Sequence, residues 1–318
     1  MKVRRLGQIF NPTHYDLPFE CKEYAQSPQV LEHDDFVRIY FSTRAVDDTE
    51  KFLSHVAYVD FERDFSLVKA VSSHEVVALG KLGCFDEHGI FPFSVTRDGE
   101  DILAYTTGWS RRKAVSVETG IGLCVSKDNG ETFTRLGEGP ILSASLTEPF
   151  LVGDAFVRRF KDKLNMWYIY GTEWKRFAEH SAPDRIYKIG SAHSDNAITW
   201  EKRHGKQLIP DRLGPHESQA LPSVTHYRNL YYMVFCYRES YDFRATKGRG
   251  YRLGFARSSD LIEWERLDGQ VTFEVPDLEW DTDMQAYPHI FNLDDRLLLL
   301  YNGNEFGRFG FGLAEIEL

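Results

Sequence analysis

The 318-residue chain is poor in cysteine, with only Cys21, Cys84, Cys124 and Cys236 and no CxxC spacing. That excludes a paired-cysteine framework and argues against a zinc site. The expectation is four reduced, mostly buried thiols and no metal. No apolar run approaches the length of a membrane span, and even Leu297–Tyr301 is far too short. The stretch Met1–Phe10 has basic residues but no apolar core of signal-peptide length, so a soluble, cytoplasmic protein is expected. An excess of positive charge is missing too. Lysine plus arginine is 38 against 48 aspartate plus glutamate, a formal charge of −10. This argues against nucleic acid and anionic membranes as partners, while leaving room for a neutral or phosphorylated small ligand in a local basic pocket. There is no GxSxG, no P-loop, no GxGxxG between a strand and a helix, and no His/Cys metal spacing. No cofactor is expected.

What is abundant is aromatic residues: 16 Tyr, 23 Phe and 6 Trp, 14% of the chain. They suit β-structure and sugar-facing clefts alike. They also recur in a pattern. A polar cluster, a proline and an apolar strand repeat at Pro28, Pro92, Pro149, Pro222 and Pro288, spaced 64, 57, 73 and 66 residues apart (92 − 28, 149 − 92, 222 − 149, 288 − 222). Each is followed by a short charged turn and an aromatic-rich strand: Val37–Phe41, Ile102–Tyr105, Leu164–Tyr168, Leu230–Phe235 and Leu297–Tyr301. Further on, Ser126–Phe133, Ser194–Trp200 and Ser258–Trp264 share a Ser-turn-aromatic form, with a degenerate copy at Asp60–Phe65. The first of these resembles the Asp-box turn of sialidases, a hairpin that stabilises the fold. Each unit reads as a four-stranded antiparallel meander of roughly 65 residues, and no helical period competes. Five such units predict an all-β, five-bladed β-propeller, one domain over residues 1–318. The last unit lacks a fourth strand. Val3–Phe10 has the length to supply it and close the ring.

Strand direction selects a functional face. The starts of the first strands and the ends of the second strands lie together, and innermost strands converge on the axis, so polar groups there are expected to ring a central pocket. Asp86, Glu148, Glu217 and Asp283 head four successive units and are the candidate catalytic carboxylates, since clustered carboxylates repel one another without a functional reason. Gln26, His88, His216, Gln219 and Gln285 stand beside them, with hydrogen bonding to a neighbouring blade as the simpler reading. After the second strands come Arg44, Trp109, Arg111, Glu173, Trp174, Arg238, Asn304 and Glu305. The tryptophans are placed to stack on a sugar ring or to pack a loop, and Arg111 to hold a phosphate or face solvent. Glu173, Glu239 and Glu305 have salt bridges to Arg238, Arg244 or Lys175 as their alternative.

With its acidic residues at inner-strand starts, Asn165-Met-Trp-Tyr168 and Ser258-Ser-Asp-Leu-Ile-Glu-Trp264, the whole chain resembles glycoside hydrolase families 32, 43, 68 and 130. It looks most similar to glycosylase-like proteins encoded with bacterial surface-polysaccharide genes. The family 43 resemblance implies a general base on blade one, a pKa-tuning aspartate on blade two and a general-acid glutamate on blade three. Glu148 matches the third and Asp86 the second; the blade-one position is Gln26 and carries no charge. The family 130 resemblance implies a single acid, phosphate as nucleophile and a cluster of basic residues. The expected function is cleavage or transfer of a glycosidic bond on a carbohydrate or sugar-phosphate substrate. The alternative is a non-catalytic propeller that binds a glycan or nucleotide sugar.

Overall fold

The computed structural model describes residues 1–203, 205–244, 246–274 and 279–318. Strand β1 (Lys2–Phe10) comes first. Four meanders of four strands follow. They are β2 (Gln26–Glu32), β3 (Phe36–Val46), β4 (Phe52–Glu62) and β5 (Val68–Val71); β6 (Gly89–Asp98), β7 (Asp101–Arg111), β8 (Val117–Ser126) and β9 (Thr134–Arg135); β10 (Val152–Phe160), β11 (Lys163–Lys175), β12 (Asp184–Ser194) and β13 (Glu201–Lys202); and β14 (Glu217–Tyr227), β15 (Leu230–Glu239), β16 (Arg252–Ser258) and β17 (Glu265–Arg266). A short β18 (Thr272–Glu274) precedes a fifth group, β19 (Ala286–Leu293), β20 (Arg296–Asn302) and β21 (Phe311–Glu317). β1 pairs antiparallel with β21, so the chain start lies in the same sheet as its end. The first two meanders are joined through a single parallel pair, Ser54 with Gly89.

Turn chemistry makes these hairpins. Between first and second strands the two-residue turns Lys161-Asp162, Arg228-Asn229 and Asp294-Asp295 all have positive φ. That is the backbone of a type I′ turn, and its twist matches that of paired strands. The Ser-turn-aromatic segments cap the third strands. Ser258 Oγ takes the Leu261 N–H at 2.9 Å and Asp260 Oδ1 takes that of Ile262 at 2.8 Å. The aromatic that ends each turn then leaves its own meander. Phe133 stands 5.7 Å from Tyr40, Trp200 5.6 Å from Tyr105, and Trp264 6.2 Å from Trp167, all edge-on. Phe65 reaches Phe291 in the last group at 6.1 Å.

Apolar cores occupy the seams between meanders. One cluster joins the third meander to the fourth, from Trp167 to Met233, and another joins the last group to the first meander, from Leu298 to Phe41. The second strands are therefore covered on both faces, which is why they read as unbroken apolar runs. The first strands touch in the order β2, β6, β10, β14, β19 and again β2.

Each first strand breaks its ladder once, in the same place. The pairing slips between Gln26 and Gln29, Ile90 and Phe93, Gly153 and Phe156, Ala220 and Ser223, and Ala286 and His289. These are bulges, and in four units the projecting residue is left-handed: Ser27 at φ 55°, Asp154 at 51°, Leu221 at 48° and Tyr287 at 55°. Pro28, Pro92, Pro222 and Pro288 each follow a bulge residue. The third unit corrects the expectation. Pro149 lies ahead of β10 altogether, and Ala155 occupies the proline's place. With Ala155 in register the spacings become 64, 63, 67 and 66 (92 − 28, 155 − 92, 222 − 155, 288 − 222).

β1 buries Val3 and Phe10 in two of the seams and covers the edge of β21. Deleting residues 1–10 should lower the thermal midpoint by roughly 10 °C or more, because it uncovers an edge and empties two core positions. An unchanged midpoint would show that β1 adds nothing to the fold.

Candidate active site

A cavity of about 340 Å³ opens where first-strand starts, second-strand ends and third-strand starts meet. The first strands contribute Phe91, Asp154 and Tyr287, all of them bulge residues. The second strands contribute Arg44 and Trp109, and the start of β12 contributes Arg185 and Tyr187. Tyr251 and Arg244 come from the β15–β16 connection, and Glu305 and Phe306 from the turn after β20. Gly153 lets β10 approach closely enough, because a Cβ there would stand 2.7 Å from Thr107 Cγ2.

Asp154 is the one carboxylate buried in this lining. Burial pushes its pKa up to about 7, against the pull of the Leu221 N–H and then of Arg185. Leu221 N donates to Asp154 Oδ2 at 3.2 Å, across the seam. Comparable seam bonds elsewhere need no charge. Ser223 Oγ takes the Ile290 N–H at 3.0 Å, and Asn302 Oδ1 takes that of Ser27 at 2.8 Å. The Asp154 carboxyl is in contact with the cavity, and burial raises its pKa toward neutral pH. Behind it, Arg238 donates to the Tyr187 hydroxyl at 3.1 Å, and Tyr187 shares a hydrogen bond with Tyr251. Arg238 is fully buried under the Phe243 ring at 3.5 Å, so it braces the wall and does not line the cavity.

The four carboxylates expected to share this pocket do not line it. Three are locked inside their own meanders. Asp86 is gripped by both terminal nitrogens of Arg135, one at 2.9 Å. Glu148 takes the Tyr168 hydroxyl at 2.7 Å and Lys202 at 2.5 Å. Glu217 takes Arg266 at 2.7 Å and the N–H groups of Arg212 and Leu213. In the last unit the matching residue is Asp281, bound to Arg5 at 3.3 Å and to Tyr301 at 2.8 Å. Asp283 instead pairs with the exposed Lys247 at 2.7 Å. In three of these units a carboxylate at or shortly ahead of the first strand is tied to the outermost strand, and in the last unit Asp281 is tied to β1. Mutual repulsion does not arise, because each has its own cation.

Most expected binding residues also have partners within the protein. Gln26 donates to the Phe306 carbonyl at 2.5 Å, and Gln219 to Glu217 at 2.9 Å. Gln285 binds the Asp281 carbonyl, and Asn304 Oδ1 takes the Asp283 and Met284 N–H groups. Arg111 pairs with Asp47 at 2.7 Å, and His88 stacks on Trp109 at 5.9 Å. His216 meets Lys175 at 2.8 Å, Trp174 packs on the core, and Glu173 is exposed away from the cavity lining. Glu239 pairs with Arg252 at 3.5 Å and Glu305 with Arg308 at 3.0 Å. Of the expected residues, Arg44, Trp109 and Glu305 line the cavity. The repeat pattern did not mark Asp154, Arg185, Tyr187, Arg244, Tyr251 or Tyr287 for it.

No protein-family model matches the chain. Two curated relatives from Mycobacterium tuberculosis, the uncharacterized proteins MT1551 and Rv1502, are each 30% identical over 320 residues, covering 100% of this chain and 100% of theirs. Among solved structures, a protein described as a glycoside hydrolase aligns at TM-score 0.74 and 15% identity, over 99% of this chain and 93% of its own. BT0996, in a complex with RGII, aligns at 0.73 and 16%, over 99% and 91%. β-1,2-Mannobiose phosphorylase from Listeria innocua aligns at 0.68 and 13%, over 100% and 97%. At these identities the likeness establishes the fold: an all-β chain built as glycoside hydrolases of this kind are built.

Replacing Lys202 by Met strands Glu148 without its cation. Stability to urea should fall by about 3–5 kcal/mol, the usual cost of breaking a buried pair. A loss below about 1 kcal/mol would mean the pair is not a structural tie.

Proposed function

We propose a function for the family to which this chain belongs, that of MT1551 and Rv1502 of Mycobacterium tuberculosis: cleavage or transfer of a glycosidic bond in the cavity where the five meanders meet. The meanders are read as blades of one closed propeller, a reading supported by the cyclic order of first-strand contacts and by the pairing of β1 with β21. The glycoside hydrolase fold supports the choice of chemistry, and the aromatic lining suits a sugar, whose C–H faces stack on rings.

The observation that carries the proposal is Asp154, a carboxyl with its pKa near 7 in contact with the cavity. In the proposed reaction Asp154 is the general acid. It gives its proton to the leaving oxygen as the bond to the anomeric carbon breaks, while the acceptor attacks that carbon from the other face. Arg185 keeps the carboxyl from rising further and steadies the carboxylate left behind. Asp86, Glu148 and Glu217 have no part in this step, since each is held in an ion pair outside the cavity.

Activity on a panel of aryl glycosides, with and without phosphate, tests the proposal. Asp154→Asn should lower kcat/KM about 10²–10⁴-fold, the range for loss of a general acid. Glu148→Gln should act on stability and leave that step in place. The rate should fall as pH rises through about 7, because the acid form is then lost. No turnover by the unaltered protein across the panel, with a glycan still bound, would favour a binding propeller instead.

A further inference from the structure

Arg44, Arg185 and Arg244 line the cavity, and none has a carboxylate partner within 4.0 Å among the described residues. Several inward arginines elsewhere are neutralised, whereas the fully buried Arg238 is held by the Tyr187 hydroxyl, the Glu239 carbonyl and the Phe243 ring. Arg5, Arg38, Arg135 and Arg266 are paired with Asp281, Asp60, Asp86 and Glu217. Arg44 and Arg185 are half-buried and Arg244 is exposed, and three arginines without counter-ions around one cavity stand out in a chain of net charge −10.

Two of the three belong together. Arg44 closes the second strand of the first meander, and its guanidinium carbon lies 4.5 Å from the Tyr24 ring centre and 5.2 Å from that of Phe52. Arg244, from the fourth meander, lies 4.7 Å from the Phe243 centre and 5.0 Å from that of Phe306. A ring face holds a guanidinium in place but satisfies none of its N–H groups as a carboxylate would. Arg44 Nε is buried without a partner. Between them in the ring order stands the last group with Tyr287, whose hydroxyl both arginines influence. Burial holds the Arg44 pKa down, and Arg244 adds its repulsion. Asp154 and Arg185 sit on the third meander, outside the arc formed by the fourth, fifth and first.

We infer that Arg44 and Arg244, flanking Tyr287, grip a negatively charged group carried by the sugar itself, a carboxylate or a phosphate ester, on the arc of the cavity away from Asp154. This rests on the reading of the cavity as a sugar site. It makes the substrate an acidic sugar and separates the group that is recognised from the bond that is cut. Guanidinium forks suit either anion, since both offer paired oxygens.

Calorimetric titration separates the sources. Glucuronate and galacturonate probe the carboxylate, glucose 6-phosphate and mannose 6-phosphate the ester, with glucose, mannose and inorganic phosphate as controls. At least one acidic sugar should bind about tenfold or more tighter than its neutral counterpart, and the preference should weaken as salt rises. Arg44→Gln and Arg244→Gln should each remove most of that preference, Arg44→Lys should restore part of it, and Asp154→Asn should leave it intact. The salt dependence of the unaltered protein stands even if a variant folds poorly. Equal binding of neutral and acidic sugars, or no sugar binding, would overturn the inference. So would an anion preference that survives both glutamine variants and disappears in Arg185→Gln. Arginine-dependent binding without turnover in any acidic glycoside would leave this inference standing and remove the proposed reaction.

Discussion

Every first strand breaks its hydrogen-bond ladder at one position, and the arrangement of the site follows from that bulge. Two residues face one across the ladder, so the extra residue turns out of the sheet. Repeated five times around the first strands, the bulge sends Phe91, Asp154 and Tyr287 into the same cavity. Ser27, Leu221, Asp154 and Tyr287 adopt the left-handed backbone that side chains disfavour, at a cost of order 1–3 kcal/mol each. The seam bonds help to hold them there. The Leu221 N–H freed by one bulge is taken by the Asp154 carboxyl of the neighbouring one. A single local irregularity thereby joins neighbouring meanders and brings the Asp154 carboxyl to the cavity wall.

Two kinds of buried carboxylate coexist in this chain, and their surroundings tell them apart. Asp86, Glu148 and Glu217 each meet a cation on the short outermost strand of their own meander. Such pairs rarely add much net stability, but they fix geometry, because removing one partner leaves a charge stranded. Asp154 has no partner of that kind. Its burial is offset by one backbone N–H and the more distant Arg185, so it keeps its proton to near neutral pH.

Much of the fold was legible in the sequence. The repeats, the hairpin turns, the Ser-turn-aromatic caps and the all-β class follow from local chemistry that needs no knowledge of distant contacts. The site was less legible, for two physical reasons. The partners of the paired carboxylates are remote, at 49 residues for Asp86, 54 for Glu148 and 49 for Glu217. A signal for them exists, because each cation follows its turn aromatic by two residues, in Phe133-Thr-Arg135, Trp200-Glu-Lys202 and Trp264-Glu-Arg266. The second reason is the third unit, where alanine replaces the proline that marks the bulge. Pro149 took its place in the alignment, and the uneven spacings of 57 and 73 were the trace of that slip. Corrected, the register puts Asp154 at the bulge, the only acidic residue at any of the five bulge positions.

The central claim is that Asp154 is poised to exchange a proton at neutral pH. Carbon-detected NMR of protein labelled at aspartate carboxyls, assigned by comparison with Asp154→Asn, measures this directly. One signal should titrate near pH 7 and be missing from the variant. An Asp154 signal that titrates near 4, like an ordinary aspartate, would contradict the claim.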